Sequence, residues 1–277
     1  MPWIDVQNAL DTVNKVTEES LTPGFITKLY APADENDIRE NDRVFYTRQN
    51  AIFLDTARIA IRKVEPNLRK YLLAPLLSAA SVHANTSGVF KGFYKDANGR
   101  GKYGGAAGDA LKRIRDKIRW RLPVTSSFEC GSVIFNEDAN ALVRNIEPLD
   151  LAYFDPPYNQ HPYGSNYFML NLLLDYKEPT EISRVSGIPV NWKRSKYNSR
   201  GFSEQVLFDA VSRCPAKIIL ISYSSEGFIP YERFVTGLSE LGKIEVLDTQ
   251  YNTFRGCRNL KERPNTLTEF LFLVDKR

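Results

Sequence analysis

"LDLAYFDPPYNQHPYGSNYF", residues 149–168, decides how this chain folds and where its chemistry lies. The first six residues, apolar but for Asp150, are a run of the kind that forms a strand inside a parallel sheet. The run ends on Asp155, followed by Pro156, Pro157 and Tyr158. A carboxylate is costly at the end of a buried strand unless it is paired or used. In open α/β sheets ligands bind beyond the carboxyl ends of strands, which is where Asp155 falls. The two prolines stiffen the backbone and remove two N–H donors, leaving local carbonyls free to face a ligand. Asp155 offers a carboxylate acceptor, the Pro156 region a rigid carbonyl acceptor, and Tyr158 a flat ring. Two acceptors suit the exocyclic NH2 of a base, and the ring suits stacking on that base. The plainer reading is an Asp-Pro-Pro turn with a tyrosine packed beside it. The strand in front of the turn weighs against it, as does Asp138, which follows another strand-like stretch one βα unit upstream.

Working outward, strands and helices alternate from about residue 131. "SVIF" reads as a strand, "EDANALVRNI" as a helix, and "LDLAYF" as the buried strand. "NYFMLNLLLDY" and "SEQVLFDAVSRC" read as helices, "KIILISYS" as a second buried strand, and "PYERFVTGLSELG" as a helix. "KIEVLDTQYNTF" and "TLTEFLFLVDK" close the chain as an antiparallel pair. This order predicts an α/β sheet covered on both faces.

Before residue 131 the chain reads as helical. Residues 1–20 suit a helix, and "TPGFITKLYAPADEND" an extended, irregular segment. From Thr47 to Lys63 a helical period places Phe53, Ala57, Ala60 and Ile61 on one face. A further apolar helix follows Pro66, which Pro75 should bend or interrupt. "NTSGVFKGFYKDANGRGKYGGAAG" is glycine-rich and too polar for a core, which predicts a long surface loop. "DALKRIRDKIRW" reads as a strongly basic helix.

The 277 residues are 43% hydrophobic and 25% charged, ordinary values for a globular protein. No apolar run approaches a membrane span, and the N-terminal residues lack an export-signal pattern, so a cytoplasmic protein is expected. Three unpaired cysteine positions and two histidines make a metal site or a disulfide framework a poor expectation. The net charge of +4 is mild but unevenly spread. Residues 1–42 hold nine acidic and three basic side chains, whereas residues 91–121 hold ten basic and three acidic ones. The run "RVSGIPVNWKRSKYNSR" has no acid at all. Charge runs are often only solvated faces. Two basic runs interleaved with Tyr, Trp, Asn and Gly favour a polyanion, with nucleic acid first.

With these residues in view, "DPPY" after an apolar strand resembles motif IV of the amino-methyltransferases that act on adenine N6 in DNA. The rest is similar to the Dam-type, alpha-arranged group, and the resemblance runs over nearly the whole chain. It implies a partial Rossmann-like methyltransferase sheet, with S-adenosylmethionine as cofactor and double-stranded DNA as substrate. Residues 1–46 are then an acidic segment and possible docking surface, 47–130 a helical, basic target-recognition region, and 131–277 the catalytic core. In "VIFNEDANAL" the resemblance implies that Asp138 faces the adenosine of the cofactor, with Asp155 also bordering it. Asp155, Pro156, Pro157 and Tyr158 become the catalytic set. "QYNTFRG" brings Tyr251, Phe254 and Arg255 to the target base. The recognition segment brings Asn85, Lys91, Lys95, Arg100 and Lys102 to DNA, joined by Tyr163 and Asn166 after the DPPY turn. The target adenine must leave the base stack to reach such a pocket. Cytosine C5 methylation needs a Pro-Cys pair; here the order is Cys214-Pro215, ahead of a strand.

One element of that family is missing. A glycine-rich F-x-G-x-G loop should precede the DPPY strand, and no such motif occurs. The cluster "GRGKYGGAAG" does not follow a strand and lies in the recognition region. The expectation is therefore one subunit of a split enzyme, with a second protein supplying the glycine loop and the first strands. A truncated product and a non-catalytic DNA-binding relative are the other accounts. An intact DPPY favours the enzyme. The same signature also serves amino groups of RNA and of protein glutamine, and the basic block argues against the latter.

Overall fold

The computed structural model describes residues 3–105, 107–252 and 265–277. They divide into two compact units: Met1–Glu129 with Tyr163–Lys193, and Cys130–Pro162 with Arg194–Arg277. The expected boundary near residue 131 lies beside the first break. The segment 163–193, however, returns to the first unit. Residues 1–46 do not stand apart either, because Leu10 and Val13 are buried in the same core as Leu54 and Ala57.

In chain order the first unit opens with helices α1 (Trp3–Glu19), α2 (Phe25–Tyr30), α3 (Arg48–Ile61), α4 (Pro66–Val82) and α5 (Leu111–Arg115). The second contributes α6 (Ala139–Leu142) and strand β1 (Leu149–Phe154), after which α7 (Tyr163–Asn166) and α8 (Phe168–Asp175) belong to the first. The second unit then runs α9 (Ser203–Arg213), β2 (Ala216–Ser224), α10 (Tyr231–Ser239), β3 (Lys243–Asn252) and β4 (Thr266–Asp275).

Two departures from expectation in the first unit have local causes. The stretch read as irregular forms α2 because a distant carboxylate caps it. Asp55, wholly buried on α3, accepts the backbone N–H groups of Gly24, Ile26 and Thr27 and the Thr27 hydroxyl. These are the donors that a helix start leaves without intrahelical partners. A Cβ on Gly24 would lie 2.8 Å from Asp55 Oδ1, so glycine is needed for the approach. The basic helix stops at Arg115 because tertiary bonds take over. Asn50 donates to the carbonyls of Ile114 and Asp116 and accepts from Ile118 N, while the Trp120 indole donates to the Leu72 carbonyl. Helix α4 runs through Pro75 unbroken, its buried stripe of Leu68, Leu72, Leu76 and Ala80 outweighing one lost backbone bond.

Helix α8 ends on Tyr176, whose φ of 46° is left-handed. Its last carbonyls are capped from α3: Arg58 donates to those of Leu173 and Leu174, and Arg62 to that of Tyr176. Both guanidinium groups lie over the Tyr176 ring, and the Tyr176 hydroxyl donates to Asp55 Oδ1 at 2.7 Å. One helix thus secures the start of α2 and the end of α8.

The second unit carries a four-stranded sheet in the order β1-β2-β4-β3. Strands β1 and β2 are parallel, with Phe154 opposite Ile221; β4 is antiparallel to both β2 and β3. The mixed α/β sheet and its closing antiparallel pair are as expected from the sequence. One face carries Ile219, Ile221, Phe272 and Val274, buried with Leu207 and Val211 of α9 and Phe234 and Leu238 of α10. Coverage of both faces is not found among the described residues. On β1, Ala152 and Phe154 turn inward, but Leu151 and Tyr153 are 51% and 57% exposed. Among the described residues β1 is paired only with β2, which leaves its other edge without a described neighbour. The expected strand "SVIF" is not formed either, and Val133 and Ile134 are 78% and 92% exposed. A short apolar stretch becomes a strand only against a neighbour, and no described strand lies next to it.

Candidate active site

The register of β1 and β2 brings their carboxyl ends together, at Phe154 and Ile221, and Asp155 follows directly. Asp155 is exposed, and no described residue bonds or pairs with its carboxylate. Pro156 next to it is buried, so the turn is anchored one residue beyond the free acid. The rest of the turn is fastened to two other loops. The Tyr158 carbonyl accepts Phe228 N at 2.9 Å and faces the Tyr223 hydroxyl at 3.4 Å. The Asn159 carbonyl accepts Asn198 Nδ2 at 2.8 Å, and Asn159 Oδ1 accepts His161 N.

Tyr223, at the end of β2, supports this arrangement from below. Its ring meets that of Tyr158 edge-on, with centroids 6.0 Å apart, and its hydroxyl accepts Ile229 N. Burial raises its phenol pKa, which keeps the hydroxyl a donor. The turn after β2 closes over the ring at Gly227, where a Cβ would lie 2.1 Å from a ring carbon. Tyr223, Phe228 and Asn198 were not singled out in the sequence. The signal was present in "SYSSEGF", a strand end followed by a glycine.

Asp138 sits at the start of α6, where Oδ1 accepts Ala141 N at 3.1 Å. It is exposed beside a bonded cluster. Asn140 donates to the Val206 carbonyl and to Asp209, and accepts the Tyr197 hydroxyl at 2.8 Å. Burial, then the nearby charges of Asp138 and Asp209, push the Tyr197 phenol up to about 12. Asp209 is held below the usual carboxylate range by Arg213, Asn140 and Arg144. A cavity of about 410 Å³ between α9 and α10 includes Glu204, Phe208 and Arg233 and none of the DPPY residues.

The expected DNA-facing residues fall into several environments. In the first unit, Lys95 and Gly101 pair across a small antiparallel finger, with Asp96 Oδ1 accepting Asn98 N and Arg100 N at the tip. Lys91 and Arg100 are exposed, Lys95 lies over the Phe93 ring, and Lys102 is half-buried. The glycine-rich stretch is therefore not wholly a surface loop, since Phe90 and Phe93 are buried against Phe45. Asn85 is the correction within this set. It is wholly buried and donates to the carbonyls of Val44 and Lys102, holding the finger's base and showing no surface to a partner. Asn166 closes the same region, its carbonyl accepting Phe90 N at 2.7 Å. Tyr163 is exposed and stacked on Tyr167. In the second unit Tyr251 is exposed near the end of β3. Phe254 and Arg255 lie outside the described residues.

Among the described residues no group of His, Cys, Asp and Glu is placed to hold a metal ion, and no helix is long and apolar enough to cross a membrane. For S-adenosylmethionine, Asp138 and Asp155 are exposed carboxylates of the second unit whose acceptor oxygens suit the hydroxyl and ammonium donors of that cofactor. No glycine-rich strand-turn-helix is found beside them among the described residues.

Comparison with known proteins agrees with this geometry. The chain is 31% identical over 280 residues to the type II methyltransferase M.CviAII of Paramecium bursaria Chlorella virus 1, covering 99% of this chain and 77% of the relative. It is 28% identical over 247 residues to the type II methyltransferase M.NlaIII of Neisseria lactamica, covering 85% and 68%. Against the type II methyltransferase M.FokI of Planomicrobium okeanokoites it is 26% identical, over 91% of this chain but 37% of that protein. No solved structure is significantly similar. A family model described as D12 class N6 adenine-specific DNA methyltransferase matches residues 5–204. This chain belongs to that family.

Proposed function

We propose that the chain transfers a methyl group from S-adenosylmethionine to adenine N6 at a specific site in DNA, in a restriction-modification or related system of the cytoplasm. The observation that carries this reading is Asp155, an exposed carboxylate without a described partner, set on a turn whose next residues are anchored. In this mechanism the adenine is extruded from the duplex. Asp155 and the Pro156 carbonyl accept the two N6 hydrogens, which turns the nitrogen lone pair away from them and toward the methyl donor. The Tyr158 ring stacks on the base, a contact worth about 1–3 kcal/mol by analogy with single-strand binding. When bound, the cofactor would supply a sulfonium methyl group, the S–CH3 bond breaking as N–CH3 forms, with a neutral thioether leaving and the surplus N6 proton passing to solvent. The protein's contribution is position and electrostatics, with no covalent intermediate on the chain.

Asp138 is proposed to face the adenosine of the cofactor. Lys91, Lys95, Arg100 and Lys102 on the finger, with Tyr163, Tyr251 and Asn166, are proposed to meet DNA. A second polypeptide is proposed to supply the glycine-rich loop. The open edge of β1, the exposed Leu151 and Tyr153, and the unpaired "SVIF" support this, since parallel strands are normally flanked and covered. The acidic outer side of α1, with Asp5, Asp11, Glu18 and Glu19 exposed, is a further candidate contact.

The test incubates the chain with unmethylated DNA and labelled S-adenosylmethionine, with and without the product of the neighbouring gene. Label in N6-methyladenine only in the mixture is expected. Full activity of the chain alone removes the second polypeptide from the account, and label in cytosine removes the adenine assignment.

A further inference from the structure

A second set of cations lies beside the DPPY turn, on a segment distinct from the recognition finger. Residues 194–200 carry Arg194, Lys196 and Arg200 and no acid. A short 3-10 turn, Lys196–Asn198, is built into this segment, with Ser195 Oγ accepting Tyr197 N. Tyr197 is buried and its hydroxyl bonds Asn140 in front of α9, so the turn is held from within. Lys196 and Arg200 stay exposed, and no described carboxylate pairs with either.

The segment is bonded directly to the candidate base site. Asn198 donates to the Asn159 carbonyl at 2.8 Å. The Arg200 guanidinium stands 5.0 Å over the Phe228 ring, and Phe228 N donates to the Tyr158 carbonyl at 2.9 Å. Arg200 is therefore fixed two contacts away from Tyr158. Stacking on an aromatic face preorganises a long cationic side chain that would otherwise lose rotamer freedom on binding. A planar guanidinium held this way matches the oxygens of a phosphodiester.

We propose that Arg200, assisted by Lys196, grips a phosphate of the target strand next to the extruded adenine. The proposal rests on the adenine-methylation reading above. Extrusion swings a nucleotide about its own backbone, so a fixed phosphate beside the pocket sets where the base arrives. Such a contact positions the strand and reads no sequence. Arg200 is thus a positioning residue and Asp155 keeps the chemistry.

The test measures binding of the whole chain to a labelled DNA duplex across salt from about 50 to 200 mM. Arg200→Gln leaves an uncharged stem over Phe228, and thermal unfolding checks that the fold is kept. The slope of log affinity against log salt should fall by about one for Arg200→Gln, equally on unrelated sequences. Arg200→Lys should keep the slope, and Lys196→Ala, on an exposed turn, should lower it further when combined with Arg200→Gln. An unchanged slope and affinity in folded Arg200→Gln overturns the proposal while leaving the adenine reading intact. No salt-dependent DNA binding by wild-type chain, alone or mixed with the product of the neighbouring gene, overturns both. A slope reduced by Arg200→Gln with no methyl transfer in any mixture leaves a phosphate contact but overturns its placement beside an extruded adenine, together with the catalytic reading.

Discussion

Tyr223 holds Tyr158 in place: the two rings meet edge-on at 6.0 Å, and the Tyr223 hydroxyl lies 3.4 Å from the Tyr158 carbonyl. The end of one parallel strand thereby props up the DPPY turn that follows its neighbour. Phe228 N, one turn further along, bonds the same carbonyl. The Tyr158 ring therefore owes its position to residues more than 60 positions downstream in the chain.

Gly227→Ala tests that support. The added Cβ would sit 2.1 Å from the Tyr223 ring, so the ring must move and Tyr158 with it. Overpacking of this kind costs about 1–3 kcal/mol. A misplaced base platform should slow methyl transfer on the order of 100-fold. Urea unfolding and turnover measured on the same preparation check both numbers, and unchanged turnover would show that the Tyr223 contact is incidental.

Asp55 should matter as much to stability as any residue of the first unit. Asp55→Ala strands the Gly24, Ile26 and Thr27 N–H groups and the Tyr176 hydroxyl in a buried site. Each stranded donor costs about 1–3 kcal/mol, so the total should exceed about 3 kcal/mol. Denaturant unfolding should show a large fall in midpoint; a loss below about 1 kcal/mol would mean that water replaces the carboxylate.

Acid should weaken the second unit through Asp209. Arg213 first, then Asn140 and Arg144, lower its pKa from 3.8, so the folded state holds its proton more weakly than the unfolded chain. That stabilisation is present above pH 3.8 and is lost as pH falls through the folded value. Asp209→Asn should flatten the fall in unfolding midpoint below pH 3.8 relative to wild type. Parallel curves for the two proteins would exclude the coupling.

The open edge of β1 makes a separate prediction. Leu151→Asp alters a side chain that is 51% exposed, so the isolated chain should keep its unfolding midpoint. In the mixture with the proposed second polypeptide, activity should fall at least tenfold. Undiminished activity would place the docking surface elsewhere.

Much of the second unit was legible from period and punctuation alone. "LAYF", "IILI" and "FLFLV" are continuous apolar runs, so β1, β2 and β4 can be read directly. "SVIF" has the same local pattern, yet Val133 and Ile134 are exposed, because a strand is made by its neighbour and the sequence window does not contain one. Helix α2 was missed for a related reason: its cap, Asp55, is 28 to 31 residues away. The family resemblance places Asn85 among the DNA contacts, but its buried amide bonds Val44 and Lys102 across the fold. The DPPY turn itself is plain in the sequence. The residues that brace it, Tyr223, Phe228 and Asn198, act through backbone carbonyls, which leave little trace in composition or spacing.

The central claim is that Asp155 accepts the amino group of adenine, and one assay addresses it directly. Labelled S-adenosylmethionine, unmethylated DNA and the product of the neighbouring gene are mixed with wild-type chain or with Asp155→Ala, and N6-methyladenine is quantified beside DNA affinity. The account predicts label in the wild-type mixture and at least a 100-fold loss with Asp155→Ala, on the order of losing one strong transition-state contact, at nearly unchanged DNA affinity. N6-methyladenine formed by Asp155→Ala at the wild-type rate would contradict it.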